Sequence, residues 1–247
     1  MKITDYYYQS SIASLHSSLA FLFPAIILIA VNIVFLSNKP VILLCLPFLF
    51  ISLCYFQTHL YTMKSAEESA AKMEDKSDTY MEARHFILFF ENKLKPGLLL
   101  FSPNGTKIGE MKRQSQSVSS FDKEYVLVDG QAMLLAIYSV SQDGIRIFDH
   151  ERRELGMLCK APDGWAILSE NGDKLASIES SRFFMDVKIA GEGIEGTSRL
   201  RRGWMPVEWN LYSYVPNAPV FTIPANMNCE ARILHSALLI REFFIYR

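Results

Sequence analysis

Two runs of apolar residues stand close together near the start of the chain. From Leu19 to Leu36 the sequence LAFLFPAIILIAVNIVFL is uncharged, close to the roughly 20 residues an α-helix needs to cross about 30 Å of hydrocarbon. Ser37, Asn38, Lys39 and Pro40 break the run, and VILLCLPFLFISLCYF then continues to Phe56, extendable to Tyr61. The pattern predicts a two-span helical hairpin over residues 19–61, preceded by a polar segment over 1–18. Asn32 is a polar group that could hydrogen-bond across to the second span. A cleaved signal peptide fits poorly, since a polar stretch precedes the first run and a second span follows at once. A buried core hairpin is disfavoured because neither run shows a polar helical face.

After Tyr61 the segment TMKSAEESAAKMEDKSDTYMEAR has no Gly or Pro and carries charges of both signs, which predicts a connector helix over 62–85. From Phe86 the punctuation changes to short apolar runs broken by Asn104-Gly105, Asp129-Gly130, Asp143-Gly144, Asp163-Gly164 and Asn171-Gly172. Turn dipeptides at that density describe β-hairpins. The expected strands are Phe86–Phe90, Leu98–Phe101, Lys107–Arg113, Glu124–Val128, Ala132–Val140 and Ile145–Phe148. Further on they are Leu155–Cys159, Trp165–Leu168, Lys174–Ile178, Phe183–Ile189, Trp209–Ser213 and Val220–Ile223.

Three segments align without gaps: LFSPNGTKIGEM from Leu100, IFDHERRELGML from Ile147 and ILSENGDKLASI from Ile167. Each reads as one hairpin. Each places Gly or Ala after the Ile or Leu that follows the turn, where a small residue suggests close backbone approach. The closing stretch CEARILHSALLIREFFIYR is apolar nearly all round, yet short and charged at Arg232, Arg241 and Glu242. A helix enclosed by the sheet is the simplest solution.

These repeated strand-turn-strand units, followed by a terminal hydrophobic helix, resemble the tubby C-terminal, LURP-one-related and phospholipid scramblase superfamily. The resemblance covers residues 86–247 and departs from the pattern at Arg152, where a turn Gly is usual. It implies a closed antiparallel β-barrel of about twelve strands around a central C-terminal helix. The fold class expected is therefore a membrane-anchored, mainly β protein. No catalytic motif defines that superfamily, so the resemblance carries over no catalytic residues.

Charge changes the picture only locally. The 25 basic and 26 acidic residues nearly cancel, which gives no global basic face for nucleic acid. Lys2, Lys64 and Lys72 flank the spans against Lys39 alone in the turn, which favours the cytoplasm for the N-terminus and the large domain, at the cell membrane. Cys45 and Cys54 lie in the second span, while Cys159 and Cys229 stand alone; no disulfide framework or zinc spacing is present.

The densest basic patch is Arg199, Arg201 and Arg202 followed by Trp204, a combination suited to an anionic lipid headgroup, with a charge-protected strand edge as its structural counterpart. Gly191 to Gly196 matches G-x-G-x-x-G, but neither a preceding Rossmann strand nor a following helix is evident and two glutamates sit inside the loop. The alternating charges around Asp149, His150, Glu151, Arg152, Arg153 and Glu154 read as a solvated turn. No metal, cofactor or nucleophile signature appears. The reading reached is a non-enzymatic, membrane-anchored barrel that binds anionic lipid headgroups or a protein partner, with the hairpin as a possible route to a homo-oligomer. The alternatives are a scramblase-like lipid handler and an enzyme whose residues are scattered over strands.

Overall fold

A computed structural model of the chain describes residues 2–36, 39–70, 79–91, 97–114, 123–162, 164–181, 186–191, 197–202 and 218–245. The chain forms two units, Met1–Met73 and Glu74–Arg247. In the first, α1 (Ile3–Val31) widens into a π turn through Leu36, and a 3-10 stretch (Lys39–Cys45) leads into α2 (Leu46–Ala70). Residues expected as a separate polar segment are helical from Ile3 onward. Nothing before Pro24 interrupts them, and the Asp5 carboxylate accepts from the Lys2 backbone N–H at 2.7 Å, occupying an otherwise orphan donor. The expected connector helix is, as far as Ala70, the continuation of α2. Residues 71–78 lie outside the described residues, and Thr79–Arg84 turn back instead of remaining helical.

Two helices are long and apolar enough to cross a membrane, with mean hydropathy 2.5 over Ile3–Phe35 and 1.7 over Ile42–Ala70. They pack along a seam of small and polar residues. Ser11 Oγ lies 2.7 Å from His59 Nδ1, and Ser18 and Ser52 exchange hydroxyl-to-carbonyl bonds, each 2.9 Å. Cys45 Sγ donates to the Ala25 carbonyl at 3.7 Å. Each step of seven residues along α1 (11, 18, 25) is matched by a step of seven back along α2 and into the 3-10 stretch before it (59, 52, 45). Buried Asn32 occupies the next place on α1. That spacing is the heptad of a left-handed antiparallel pair, and small side chains let the two backbones approach where no water drives association. Phe23, Ile27, Phe35 and Phe50 face outward.

The second unit is a closed antiparallel barrel. Its strands are β1 (His85–Glu91), β2 (Gly97–Phe101), β3 (Lys107–Arg113), β4 (Lys123–Asp129), β5 (Leu134–Val140) and β6 (Gly144–Asp149). They continue as β7 (Glu154–Ala161), β8 (Gly164–Ser169), β9 (Lys174–Ser181), β10 (Asp186–Gly191), β11 (Thr197–Arg201) and β12 (Val220–Thr222). Each strand pairs with its neighbour in sequence, and β12 closes on β1. Strand β11 was not expected, and the Trp209–Ser213 strand falls outside the described residues, as does the start of the expected Phe183–Ile189 strand.

The helix α3 (Cys229–Ile240), capped by Asn228 Oδ1 accepting from Ala231 N at 2.8 Å, fills the bore. From Arg232 to Ile240 every residue is buried, so beyond its first turn no face of the helix remains for solvent. Its contacts come from all round the barrel. Leu234 approaches Gly156 on β7, the Tyr138 hydroxyl on β5 donates to the Ile233 carbonyl at 3.0 Å, and Ser198 on β11 bonds His235.

The repeat has four copies, not three. Bulges fall at matching places, between Leu100 and Phe101, Leu127 and Val128, Ile147 and Phe148, and Ile167 and Leu168. In each following turn the first residue's N–H reaches the carbonyl four residues on, and its own carbonyl accepts from the N–H three residues on. Those first residues are Ser102, Asp129, Asp149 and Ser169. The new copy begins LVDGQAMLLA at Leu127. The small residues after the turns, Gly109, Ala136, Gly156 and Ala176, stand on alternate strands. A Cβ on Gly156 would meet the Leu168 carbonyl at 2.2 Å and Leu234 at 3.3 Å, which is the close approach expected of that position.

Two measurements check this architecture. In Ala25→Cys, oxidation joins residue 25 to Cys45 within one chain, seen as a linked peptide pair by mass spectrometry, whereas Ile26→Cys, which faces outward, does not link. His235, only 1% exposed, has its pKa lowered by burial to about 4. The unfolded chain therefore takes up a proton below pH 6.5 that the folded barrel refuses down to about 4. Stability is full above that window and falls by about 3 kcal/mol in total as pH drops through it. Denaturation followed by near-UV circular dichroism shows this slope in the native chain and loses it in His235→Gln.

Candidate functional site

The arginine patch proves to be a strand. On β11, Ser198 and Leu200 point inward and are fully buried, so Arg199 and Arg201 alternate to the outer face. Arg199 is ion-paired with Asp186 on β10. Arg202 is ion-paired with the buried carboxylate of Glu242, which also lies 3.3 Å from Arg241 Nη1. Arg241 in turn stacks over Trp165 at 4.9 Å. Arg199 and Arg202 are thus taken up by internal carboxylates, and Trp204 lies outside the described residues. Gly191 of the glycine-rich motif ends β10, and residues 192–196 are outside the described residues as well.

Inside the bore, Ser198 Oγ lies 2.7 Å from His235 Nδ1. This is the spacing of a nucleophile and its base, yet both residues are buried in a core filled by α3. Among the described residues no cluster of His, Cys, Asp or Glu is arranged to hold a metal.

A more open site lies on the outer wall. The faces of β3, β4 and β5, overhung by the β6–β7 turn, form a groove of about 720 Å³. Lys112, Val126 and Ile137 stand side by side across the three strands, and Leu134 completes an apolar floor. The rim carries Lys112, Arg113, His150 and Arg152, with Glu151 as the one acidic lining residue. The ion pairs that touch these cations are long and leave the cations exposed: Lys112 to Glu110 at 3.8 Å, Arg152 to Glu124 at 3.9 Å and His150 to Glu151 at 3.8 Å. Exposed pairs of that kind hold a cation weakly. Glu110 is held closer by Lys107, at 2.6 Å.

The turn that presents Arg152 is built on Asp149. One carboxylate oxygen accepts from the N–H groups of Glu151 and Arg153, at 2.8 and 2.9 Å, and the other from Arg153 Nε at 2.8 Å. Desolvation pushes the Asp149 pKa up, but the hydrogen bonds from Arg153 and Glu151 outweigh it and hold the carboxyl below its usual range. Asp149 and Arg153 therefore shape the turn, and His150 and Arg152 are left on its surface. The groove was missed in the sequence because its cations come from two segments far apart in the chain, the end of β3 and the β6–β7 turn. One signal was visible: Arg152 stands where two other copies of the repeat have Gly105 and Gly172.

The groove's chemistry, cations around an apolar floor, suits a ligand with an anionic head and an apolar body. No family model matches the chain, no curated protein matches it, and no solved structure matches it.

The pairing of Arg202 with Glu242 has a measurable consequence. Arg202→Ala leaves a buried carboxylate short of a partner and lowers barrel stability by about 2 kcal/mol. Adding Glu242→Gln recovers part of that loss in thermal denaturation, which a purely surface role for Arg202 would not produce.

Proposed function

We propose that the chain is a non-enzymatic, membrane-anchored β-barrel module of the tubby-like kind that binds anionic lipid headgroups in the groove over β3–β5. One observation carries this reading. The bore is occupied by α3, so a ligand has to sit outside the barrel, and the groove there combines loosely paired cations with an apolar floor. The hairpin supplies the tether. The lysine distribution favours the cytoplasmic side of the cell membrane for both chain ends, and exposed Tyr8, Tyr55 and Tyr61 suit the headgroup layer on that side. A scramblase-like role draws no support from the seam, because Ser18 and Ser52 satisfy each other's hydroxyls and offer no polar path to a passing headgroup.

The test uses the full chain in neutral detergent, titrated with short-chain phosphatidylserine and phosphatidylcholine by calorimetry at low and high salt. The serine lipid binds saturably and more tightly at low salt, and Lys112→Ala/Arg113→Ala weakens it by about tenfold or more, as expected for loss of charge-assisted contacts. Equal, salt-independent heats for the two lipids, unchanged in the variant, would sink the proposal.

A further inference from the structure

The four repeat turns share one hydrogen-bond pattern, so each is a control for what the turn itself requires. All four put a residue in the left-handed region: Gly105 at φ 77° and Gly172 at φ 85°, but Ala132 at φ 67° and Arg152 at φ 64°. Glycine takes that conformation freely, whereas a side chain there is strained. The two strained seats belong to neighbouring turns, and both turns border the groove, through Leu134 on one side and His150 and Arg152 on the other.

The β4–β5 turn departs in a second way. The residue after its left-handed seat is Met133, 62% exposed, followed by Leu134 at 37%. The equivalent pairs in the other turns are Thr106-Lys107, Arg153-Glu154 and Asp173-Lys174. Turn geometry does not call for an apolar tip, since three copies form the same bonds without one. Antiparallel order puts all four turns at one end of the barrel. The chain also enters β1 at that end, because Ile87 pairs with Phe101 just before the first of these turns. The rim with the apolar tip is therefore the rim at which β1 begins.

We infer that the β4–β5 turn is a bilayer-contacting element: Met133 and Leu134 enter the interfacial layer of an anionic phospholipid bilayer while Lys112, Arg113 and Arg152 rest on its phosphates. Apolar side chains flanked by cations gain from burial and from the negative surface potential together. The inference rests on the headgroup reading of the groove and adds which element meets the bilayer. An acidic protein partner would use the same cations but would not require an exposed methionine and leucine at the tip.

The experiment places the full chain in nanodiscs of phosphatidylcholine alone, or with about one-third phosphatidylserine, and follows amide hydrogen exchange. In the anionic discs exchange over residues 130–135 slows by about tenfold relative to the neutral discs, and high salt reverses the effect. Met133→Asp, at a residue outside the groove lining, abolishes this protection while the thermal midpoint and short-chain phosphatidylserine binding stay as in the native chain. Arg152→Gly raises the thermal midpoint by relieving the strained seat, yet weakens the protection. Exchange that is the same in both discs, with short-chain lipid still bound, overturns the docking inference and leaves the headgroup reading standing. Loss of both sinks both, and protection that survives Met133→Asp overturns the role of the tip.

Discussion

Twelve strands joined edge to edge enclose a bore wider than their own inward side chains can fill, because about eight is the number at which side chains alone suffice. Something else must occupy the middle, and α3 does. The helix has no polar face to spare, and its polar atoms are answered by the wall: the Tyr138 hydroxyl on Ile233, the Tyr80 hydroxyl 2.6 Å from Ser236, and Ser198 on His235. Small residues at Gly109, Ala136, Gly156 and Ala176 set how near the wall can come. Arg232 closes one end. It is 2% exposed and, among the described residues, donates to carbonyls, with Nη1 donating to Ala83 at 2.7 Å and to Tyr80 at 3.3 Å, and Nε donating to Met227 at 3.2 Å. A planar guanidinium can reach several carbonyls at once, as a lysine cannot. It fastens the entering segment around Tyr80 and the loop before α3 to the same helix.

With the bore filled, the outer wall and the rim are where side chains can vary without disturbing the core. The turns are the part of the repeat that can change without disturbing the core, and the two strained ones carry their own compensation. A non-glycine residue in the left-handed region costs about 1 kcal/mol. In those two turns the first residue is an aspartate that accepts two backbone N–H bonds, Asp129 from Gln131 and Met133, and Asp149 from Glu151 and Arg153. The two turns that keep glycine begin with Ser102 and Ser169 instead. Charged acceptors are stronger than hydroxyls, so the aspartates offset strain that the glycine turns do not have.

What could be read in the sequence follows from what each signal measures. Apolar runs and turn dipeptides report burial and local backbone geometry, and they located the spans, most strands and the enclosed helix. They misplaced the β4–β5 turn, because Asp129-Gly130 points to the glycine while the left-handed seat is Ala132. The fourth repeat was hidden for the same reason. Strand β11 was hidden because its arginines drew attention to charge, although Ser198, Leu200 and the intervening Arg199 and Arg201 alternate with the period of two that marks a strand. The helical seam was legible in principle: Ser11, Ser18, Ala25 and Asn32 recur every seven residues, but a run that is apolar throughout masks a small-residue period. The groove showed in the sequence only through Arg152 at a glycine position of the repeat, since its rim is assembled from β3 and the turn that follows β6.

The arginines show why a density of charge along the sequence is a poor guide to a site. Arg199, Arg202 and Arg241 lie close to carboxylates, and Arg232 is enclosed by carbonyls. Drawing Arg202 toward an outside anion would strip a partner from Glu242, whose carboxylate is buried, and that penalty opposes any affinity gained. Arg152 faces the opposite balance. Its pairing with Glu124 is long and solvent-screened, so an incoming phosphate displaces little, and the guanidinium is already held at the rim by a backbone seat that glycine would occupy with less strain. The sparse cations of the groove, not the dense ones of β11, are therefore the ones least committed to the protein's own carboxylates.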